Sequence, residues 1–103
     1  ILQIVKKIFV NGTFDILHPG HVQLLNYAKS LGDTLTVGID SDRRVREKKG
    51  YARPVYCVED RAFILQNLKS VDSVVVFDSD EELELCIKTA KPDIMVVGSD
   101  WKG

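Results

Sequence analysis

Two closely spaced histidines point to phosphate chemistry. His18 and His21 lie in the segment NGTFDILHPGH, which spans residues 11–21. Pro19 suits the first position of a helix, where a missing N–H costs nothing, so His18 is the capping residue and His21 the third helical residue. The partial positive charge of a helix start disfavours protonated imidazole and favours a bound phosphate. We predict two neutral imidazoles that donate N–H bonds to phosphate oxygens, with Gly20 between them leaving room for the phosphate.

Other chemistries explain this segment less well. Two histidines alone supply too few ligands for a zinc site. The glycine-rich phosphate signatures G-x-G-x-x-G and G-x-x-x-x-G-K-[ST] are absent, and so is the G-x-S-x-G elbow of serine hydrolases. Gly12, directly after an apolar run, instead lets backbone N–H groups approach an anion closely. Phosphate binding at a strand-to-helix loop is the favoured interpretation.

The elements that must position this loop alternate along the chain. Mostly apolar runs predict buried strands at residues 8–10, 34–39, 73–77 and 94–97. Helices are predicted at 19–31 and 59–68, and a third begins at Ser79 or Asp80 and stops before Pro92. Residues 40–57 are expected to be loop, at least in their later half. This order predicts a single α/β domain with a Rossmann-like, doubly wound parallel sheet, whose ligands bind in loops 11–21, 40–57 and 98–103.

Composition excludes several classes of function. Fourteen Lys and Arg against fifteen Asp and Glu give a formal charge of −1, so the cationic field of a non-specific nucleic-acid binder is absent. The apolar runs are too short to cross a bilayer. Cys57 and Cys86 lack metal or redox spacing and are expected to be reduced, buried and inert. With no visible signal peptide, a cytoplasmic location is expected, with neither nucleic acid nor membrane as a partner.

The run GTFDILHPGH resembles the signature of the H-x-G-H nucleotidyltransferase superfamily, and within it the glycerol-3-phosphate cytidylyltransferases. Enzymes of that superfamily transfer a nucleoside monophosphate from CTP or ATP to a phosphorylated small molecule and release pyrophosphate. The resemblance implies that His18 and His21 stabilise charge on the α-phosphate. It also implies that Gly12, Thr13 and Phe14 line the nucleotide phosphates through backbone groups.

The resemblance extends to further phosphate-side residues. Asp15 would organise the loop or aid metal–phosphate geometry, and a purely structural role as an acceptor of backbone N–H bonds is the alternative. Lys48 and Lys49 stand where relatives carry lysines that contact phosphates, although a solvated charge run is the competing interpretation. Arg61 resembles an arginine that faces the substrate phosphate. Its alternative is a surface ion pair with Glu59 or Asp60.

The last residues resemble the family's loop for the base and ribose. Gly98 opens this loop, Asp100 would accept hydrogen bonds from ribose or base, and Trp101 would cover the pocket or act only as a packing lid. Relatives continue with a further strand and a Ser/Thr-rich motif that contacts the β- and γ-phosphates. The domain at residues 1–103 is expected to lack that segment.

Substrate choice lies between two branches of the superfamily. The runs GTFD and SDWKG resemble the glycerol-3-phosphate cytidylyltransferases, whereas VREKKGYARPV resembles the heptose-1-phosphate adenylyltransferases. Transfer of CMP or AMP to such an acceptor, for cell-envelope precursors, is therefore predicted. Mg²⁺ is expected to accompany the triphosphate, and no residue is predicted as a dedicated metal ligand. A homodimer is expected from the relatives. A non-catalytic nucleotide-binding module and a flavodoxin-like or dinucleotide-binding domain remain as alternatives.

Overall fold

Strands and helices alternate along the chain in the computed structural model, which describes residues 5–97. The four strands are β1 (Lys7–Gly12), β2 (Thr34–Asp40), β3 (Ser73–Phe77) and β4 (Ile94–Val97). The four helices are α1 (Pro19–Ser30), α2 (Asp42–Lys49), α3 (Val58–Gln66) and α4 (Asp80–Ala90). The strands predicted from apolar runs are all present, as are the three predicted helices.

The strands form one parallel sheet in the order β3-β2-β1-β4. The β1–β2 register pairs Ile8 with Leu35 and Val10 with Val37, and β4 joins β1 on its other side. The chain therefore winds outward from β1 to β3 and then crosses back past β1 to form β4. In such sheets ligands bind beyond the carboxyl ends of the strands, where the winding changes direction. The loop that follows β1 lies at this place.

The core explains why the central strands read as continuous apolar runs. Ile8, Phe9 and Val10 are all fully buried although successive side chains point to opposite faces of the sheet, so both faces of β1 are covered. Leu25 of α1 and Leu65 of α3 pack into the same core. The predicted α/β, Rossmann-like single domain is confirmed.

Residues 42–49 form helix α2, which the sequence analysis did not predict within a segment expected to be loop at least in its later half. The Ser41 hydroxyl caps this helix by accepting the N–H of Arg44 at 3.3 Å, and Arg43 pairs with Glu47 at 2.6 Å one turn further on. Val45 is the buried residue of the helix. A single apolar contact leaves no stripe in the sequence, so the periodicity indicated no helix here. Loop structure is restricted to the later part of the segment, as predicted.

The prediction that both cysteines are buried is wrong. Both are free thiols, Cys57 is exposed and Cys86 is partly buried. Cys57 occupies the N-cap position of α3, where the chain turns at the surface before entering the helix. Burial and the charge of Glu82 raise the pKa of the Cys86 thiol, which therefore stays protonated near neutral pH. Among residues 5–97, no helix is long and apolar enough to span a membrane.

Candidate active site

A cavity of about 410 Å³ opens beside the loop that follows β1. This volume falls in the range of small-molecule pockets. The β1–α1 loop and the start of α1 line one side of the cavity, through Thr13, Phe14, Asp15, Ile16, His18 and His21. Lys49, at the end of α2, and Arg53, in the loop before α3, also line the cavity. The structure thus brings the first predicted loop and part of the second together around one pocket.

Both histidines take part in the start of helix α1. The N-cap is His18, and its Nδ1 atom accepts the N–H of Gly20 at 3.0 Å. The N–H of His18 in turn donates to Nδ1 of His21 at 3.3 Å. This reciprocal arrangement is a capping box in which two imidazoles take the places usually held by a hydroxyl and a carboxylate. The predicted helix start, with Pro19 in its first position, is confirmed.

The two capping bonds determine the protonation of the rings. A nitrogen that accepts a hydrogen bond carries no proton, so each neutral imidazole bears its hydrogen on Nε2. The pKa of His21 lies below the ordinary value, first because the ring is partly buried and second because a proton on nearby His18 would repel one on His21. The rings stack with their centroids 4.0 Å apart. The site therefore presents two adjacent, neutral N–H donors to the pocket, the arrangement expected of a phosphate-binding pair.

Two neighbouring residues hold the imidazoles in place. Phe14 is buried, with a left-handed backbone conformation (φ 49°), and its ring meets His21 edge-on at 5.3 Å. A non-glycine residue in this region is strained, and such strain is often found at functional sites. A Cβ atom on Gly20 would lie 2.8 Å from Cε1 of His18. We expected Gly20 to leave room for a phosphate, but the His18 ring occupies that space. A glycine is needed at position 20 because any side chain there would collide with this ring.

Asp15 binds the main chain of a distant loop. Its carboxylate accepts the N–H of Val55 at 2.7 Å and that of Tyr56 at 2.8 Å. The side chain of Asp15 is 12% exposed, and Arg53 lies 3.7 Å away. Asp15 therefore joins the loop after β1 to the loop before α3, which is the structural role given above as an alternative. Its carboxylate also faces the pocket, and a direct role toward a ligand remains a prediction.

Arg61 lies beneath the pocket and outside its lining. The side chain is completely buried, and all three guanidinium nitrogens donate hydrogen bonds: Nε to the Tyr56 carbonyl at 3.0 Å, Nη1 to the Thr13 carbonyl at 2.9 Å and Nη2 to Asp42 at 2.8 Å. The alternative of a surface ion pair with Glu59 or Asp60 is wrong. This geometry favours a positioning role, in which Arg61 ties together both loops of the pocket and the start of α2.

The two lysines differ in their surroundings. Lys48 lies 3.7 Å from Asp40, a buried carboxylate at the end of β2. The hydroxyl of Thr13 also donates to Asp40, at 3.0 Å, so this carboxylate supports the first residue of the pocket loop. Lys49 lines the pocket. Of the two lysines predicted to contact phosphates, Lys49 is the one placed to do so.

The remaining predictions concern residues at the limits of the described structure. Gly12 ends β1 and is buried below Thr13. Gly98, Asp100 and Trp101 lie outside residues 5–97, so their predicted contacts with base and ribose stay predictions. Sequence reasoning missed the support that Asp40 gives to the pocket loop. The signal for it was a carboxylate placed directly after an apolar strand.

Comparison with known proteins agrees with this geometry. The sequence model of the cytidylyltransferase-like family matches residues 9–102. The chain belongs to the cytidylyltransferase-like family. It is therefore a nucleotidyltransferase domain, and the paired imidazoles at the start of α1 are the H-x-G-H motif of that family in three dimensions. The predicted resemblance to H-x-G-H nucleotidyltransferases is confirmed.

Individual relatives are consistent with the family match. The chain is 52% identical to the bifunctional protein HldE of Wolinella succinogenes over 98 residues, and 55% identical to that of Campylobacter fetus subsp. fetus over 96 residues. These alignments cover 95% and 93% of the chain but only 20% and 21% of the relatives, so the chain spans about a fifth of their length. The lipopolysaccharide core biosynthesis protein of Thermoplasma volcanium GSS1 has a similar structure, with a TM-score of 0.83 and 31% identity over 96% of this chain and 79% of that one.

Proposed function

We propose that this domain transfers AMP from ATP to a sugar 1-phosphate of the heptose class and releases pyrophosphate. The observation that carries the proposal is the pair of neutral imidazoles, His18 and His21, whose Nδ1 atoms cap α1 and whose Nε2–H groups make no hydrogen bond within residues 5–97. The choice of acceptor and nucleotide is supported by about 50% identity to HldE proteins and by the likeness of residues 45–55 to heptose-1-phosphate adenylyltransferases.

The reaction is an in-line displacement at the α-phosphorus. An oxygen of the acceptor phosphate forms a new bond to that phosphorus, and the bond between the α-phosphorus and the oxygen bridging to the β-phosphate breaks. The bonding electrons leave with pyrophosphate. The protein forms no covalent bond in this step, so its contribution is positioning and stabilisation of the charge that develops on the phosphate oxygens.

The imidazoles suit this task because they are neutral, fixed donors. Two N–H groups aimed at the α-phosphate stabilise additional negative charge in the transition state without having to reorient. The start of α1 adds the partial positive charge of its free N–H groups. The strained Phe14 backbone and the rigid capping box keep the rings in place before the substrate arrives.

Magnesium is proposed to enter the site with the triphosphate, where it would neutralise charge on phosphate oxygens and orient them, and Asp15 is the carboxylate of the pocket lining that would help to hold it. Across residues 5–97, no cluster of three or more acidic, cysteine or histidine side chains is arranged to hold a metal ion. This donor set fits an ion carried mainly by phosphate oxygens, which is the usual way Mg²⁺ binds with nucleotides.

The test is pyrophosphate release by the full chain. ATP, CTP or GTP is supplied with Mg²⁺, together with heptose 1-phosphate or glycerol 3-phosphate, and His21→Ala serves as the inactive control. Turnover with ATP and heptose 1-phosphate is expected. CTP with glycerol 3-phosphate as the only productive pair would contradict the choice of substrates. Stabilisation by ATP in a thermal-shift assay, without turnover of any pair, would instead identify a nucleotide-binding module.

A further inference from the structure

A second arginine stands at the pocket, in a very different state from Arg61. Arg53 lines the same cavity as the imidazoles, and its side chain is 44% exposed. Its nearest charged partner is Asp15, at 3.7 Å, which is too long for a hydrogen bond. Within the part of the chain that the structure describes, the guanidinium of Arg53 makes no hydrogen bond, whereas every nitrogen of Arg61 is used. Arg53 thus has its donors available for a ligand.

The main chain around Arg53 is held firmly. Its own N–H donates to the Gly50 carbonyl at 3.1 Å, and two residues later Asp15 binds the backbone N–H groups of Val55 and Tyr56. Buried Arg61 fixes the Tyr56 carbonyl from below. The backbone is therefore ordered before a ligand binds, and only the Arg53 side chain has to adjust, which lowers the entropic cost of binding.

The pocket lining combines two kinds of phosphate-binding group. His18 and His21 provide neutral donors beside a helix start, whereas Lys49 and Arg53 bring two positive charges, with the Asp15 carboxylate 3.7 Å from Arg53. A triphosphate that arrives with magnesium is partly neutralised, and its remaining negative charge is spread over three phosphates. The phosphate of the acceptor lacks such a counterion and carries nearly two negative charges, so it requires cations from the protein. A guanidinium matches its oxygens bidentately, which a lysine cannot do.

We propose that Arg53, assisted by Lys49, binds the phosphate of the acceptor and holds it opposite the histidine pair. Asp15 acts as a positioning residue for Arg53 through the backbone of residues 53–56. This inference rests on the proposed function, since it assigns one of that reaction's two substrates to a particular residue. The resemblance implied that Arg61 contacts the acceptor phosphate. In this proposal Arg53 makes that contact instead.

The test compares the kinetics of Arg53→Gln, Arg53→Lys and Arg46→Gln. Arg46 is exposed on α2 and does not line the pocket, so its variant is the matched control. Loss of a charged bidentate contact is expected to raise the KM for heptose 1-phosphate by about 10- to 100-fold in Arg53→Gln, with the KM for ATP nearly unchanged. Arg53→Lys keeps the positive charge but loses the bidentate geometry of the guanidinium. Its KM for heptose 1-phosphate is expected to lie between those of the wild type and Arg53→Gln. Arg46→Gln is expected to match the wild type.

A second measurement separates this inference from the proposed function. Binding of inorganic phosphate to the wild type and to Arg53→Gln is followed by ³¹P line broadening, which requires no turnover. If no substrate pair is turned over but Arg53→Gln still weakens phosphate binding while Arg46→Gln does not, the proposed function fails and the phosphate site at Arg53 stands. An increase in the KM for ATP alone would overturn the assignment to the acceptor. An unchanged acceptor KM in Arg53→Gln, with His21→Ala inactive, would overturn the role of Arg53 and leave the function intact.

Discussion

Gly20→Ala separates the stability of helix α1 from the position of the imidazoles. The new Cβ would lie 3.1 Å from Nδ1 of the His18 ring and 2.8 Å from its Cε1, and the second distance is shorter than Cβ contacts in proteins. The ring must therefore move, and its hydrogen bond from the N–H of residue 20 is lost. The bond between the His18 N–H and His21 remains possible, because it does not involve the displaced ring.

Two contributions to stability oppose each other in this variant. Loss of a capping hydrogen bond costs about 1 kcal/mol. Replacement of glycine by alanine within a helix contributes up to about 1 kcal/mol in return. The free energy of unfolding is therefore expected to change by less than about 1 kcal/mol. Activity has no such compensation, and displacement of one donor from the developing charge is expected to lower kcat by about 100-fold.

The assay pairs urea unfolding with initial rates of pyrophosphate release. Gln23→Ala is the control, because residue 23 is exposed on the same helix, away from the pocket, and its substitution should change neither quantity. A Gly20→Ala protein with near-normal kcat would refute the argument, since it would show that the His18 ring is not needed where the capping bond places it. A loss of more than about 3 kcal/mol would refute the proposed compensation.

Three further predictions concern titration, burial and the lysine pair. The unfolded chain protonates His21 near its ordinary pKa of 6.5, and the folded chain does so only at lower pH. The free energy of unfolding should therefore fall as the pH drops below about 6.5 and level off beneath the pKa of the folded state. Urea unfolding across this range should show that dependence in the wild type and lose it in His21→Gln, whose amide can cap the helix without titrating. Arg61→Met should cost about 3 kcal/mol in urea unfolding, because it leaves buried acceptors unpaired. In steady-state kinetics, Lys49→Gln should raise the KM for the acceptor, heptose 1-phosphate, by about tenfold, and Lys48→Gln should raise it by much less.

Each of these has a result that contradicts it. The same pH dependence in wild type and His21→Gln would mean that another group titrates. Near-normal stability of Arg61→Met would show that water reaches the acceptors Arg61 leaves behind. Equal kinetic effects of the two lysine variants would mean that Asp40 does not hold Lys48 away from the ligand.

The sequence was informative wherever local chemistry decides structure. The start of α1 followed from Pro19 and its flanking histidines, since capping depends on residues within one turn. The four strands were found because both faces of the sheet are covered, which produces uninterrupted apolar runs. The histidine pair was recognised for a related reason: its spacing alone places both rings on the opening turn of a helix.

Contacts between distant segments could not be predicted in this way. Asp15 binds backbone groups that lie 40 and 41 positions further along the chain, and no local pattern encodes this. The resemblance gave Arg61 a ligand role, with a surface ion pair as the alternative, yet the side chain is buried and three acceptors compensate for its desolvation. Helix α2 was missed since Val45 is the residue it buries, and charge rather than apolar periodicity dominates its sequence.

The histidine capping box restricts how this domain can be stabilised. Serine, aspartate or asparagine would be a stronger N-cap than an imidazole, and stability-directed engineering would normally introduce one at position 18. Here such a substitution would remove the His18 ring, whose Nδ1 atom caps α1 and whose Nε2–H group is proposed to bind the phosphate. A designer seeking a more heat-resistant variant must therefore leave this turn untouched and work elsewhere, for instance at the weakly covered outer strands, where Val76 and Met95 are nearly half exposed.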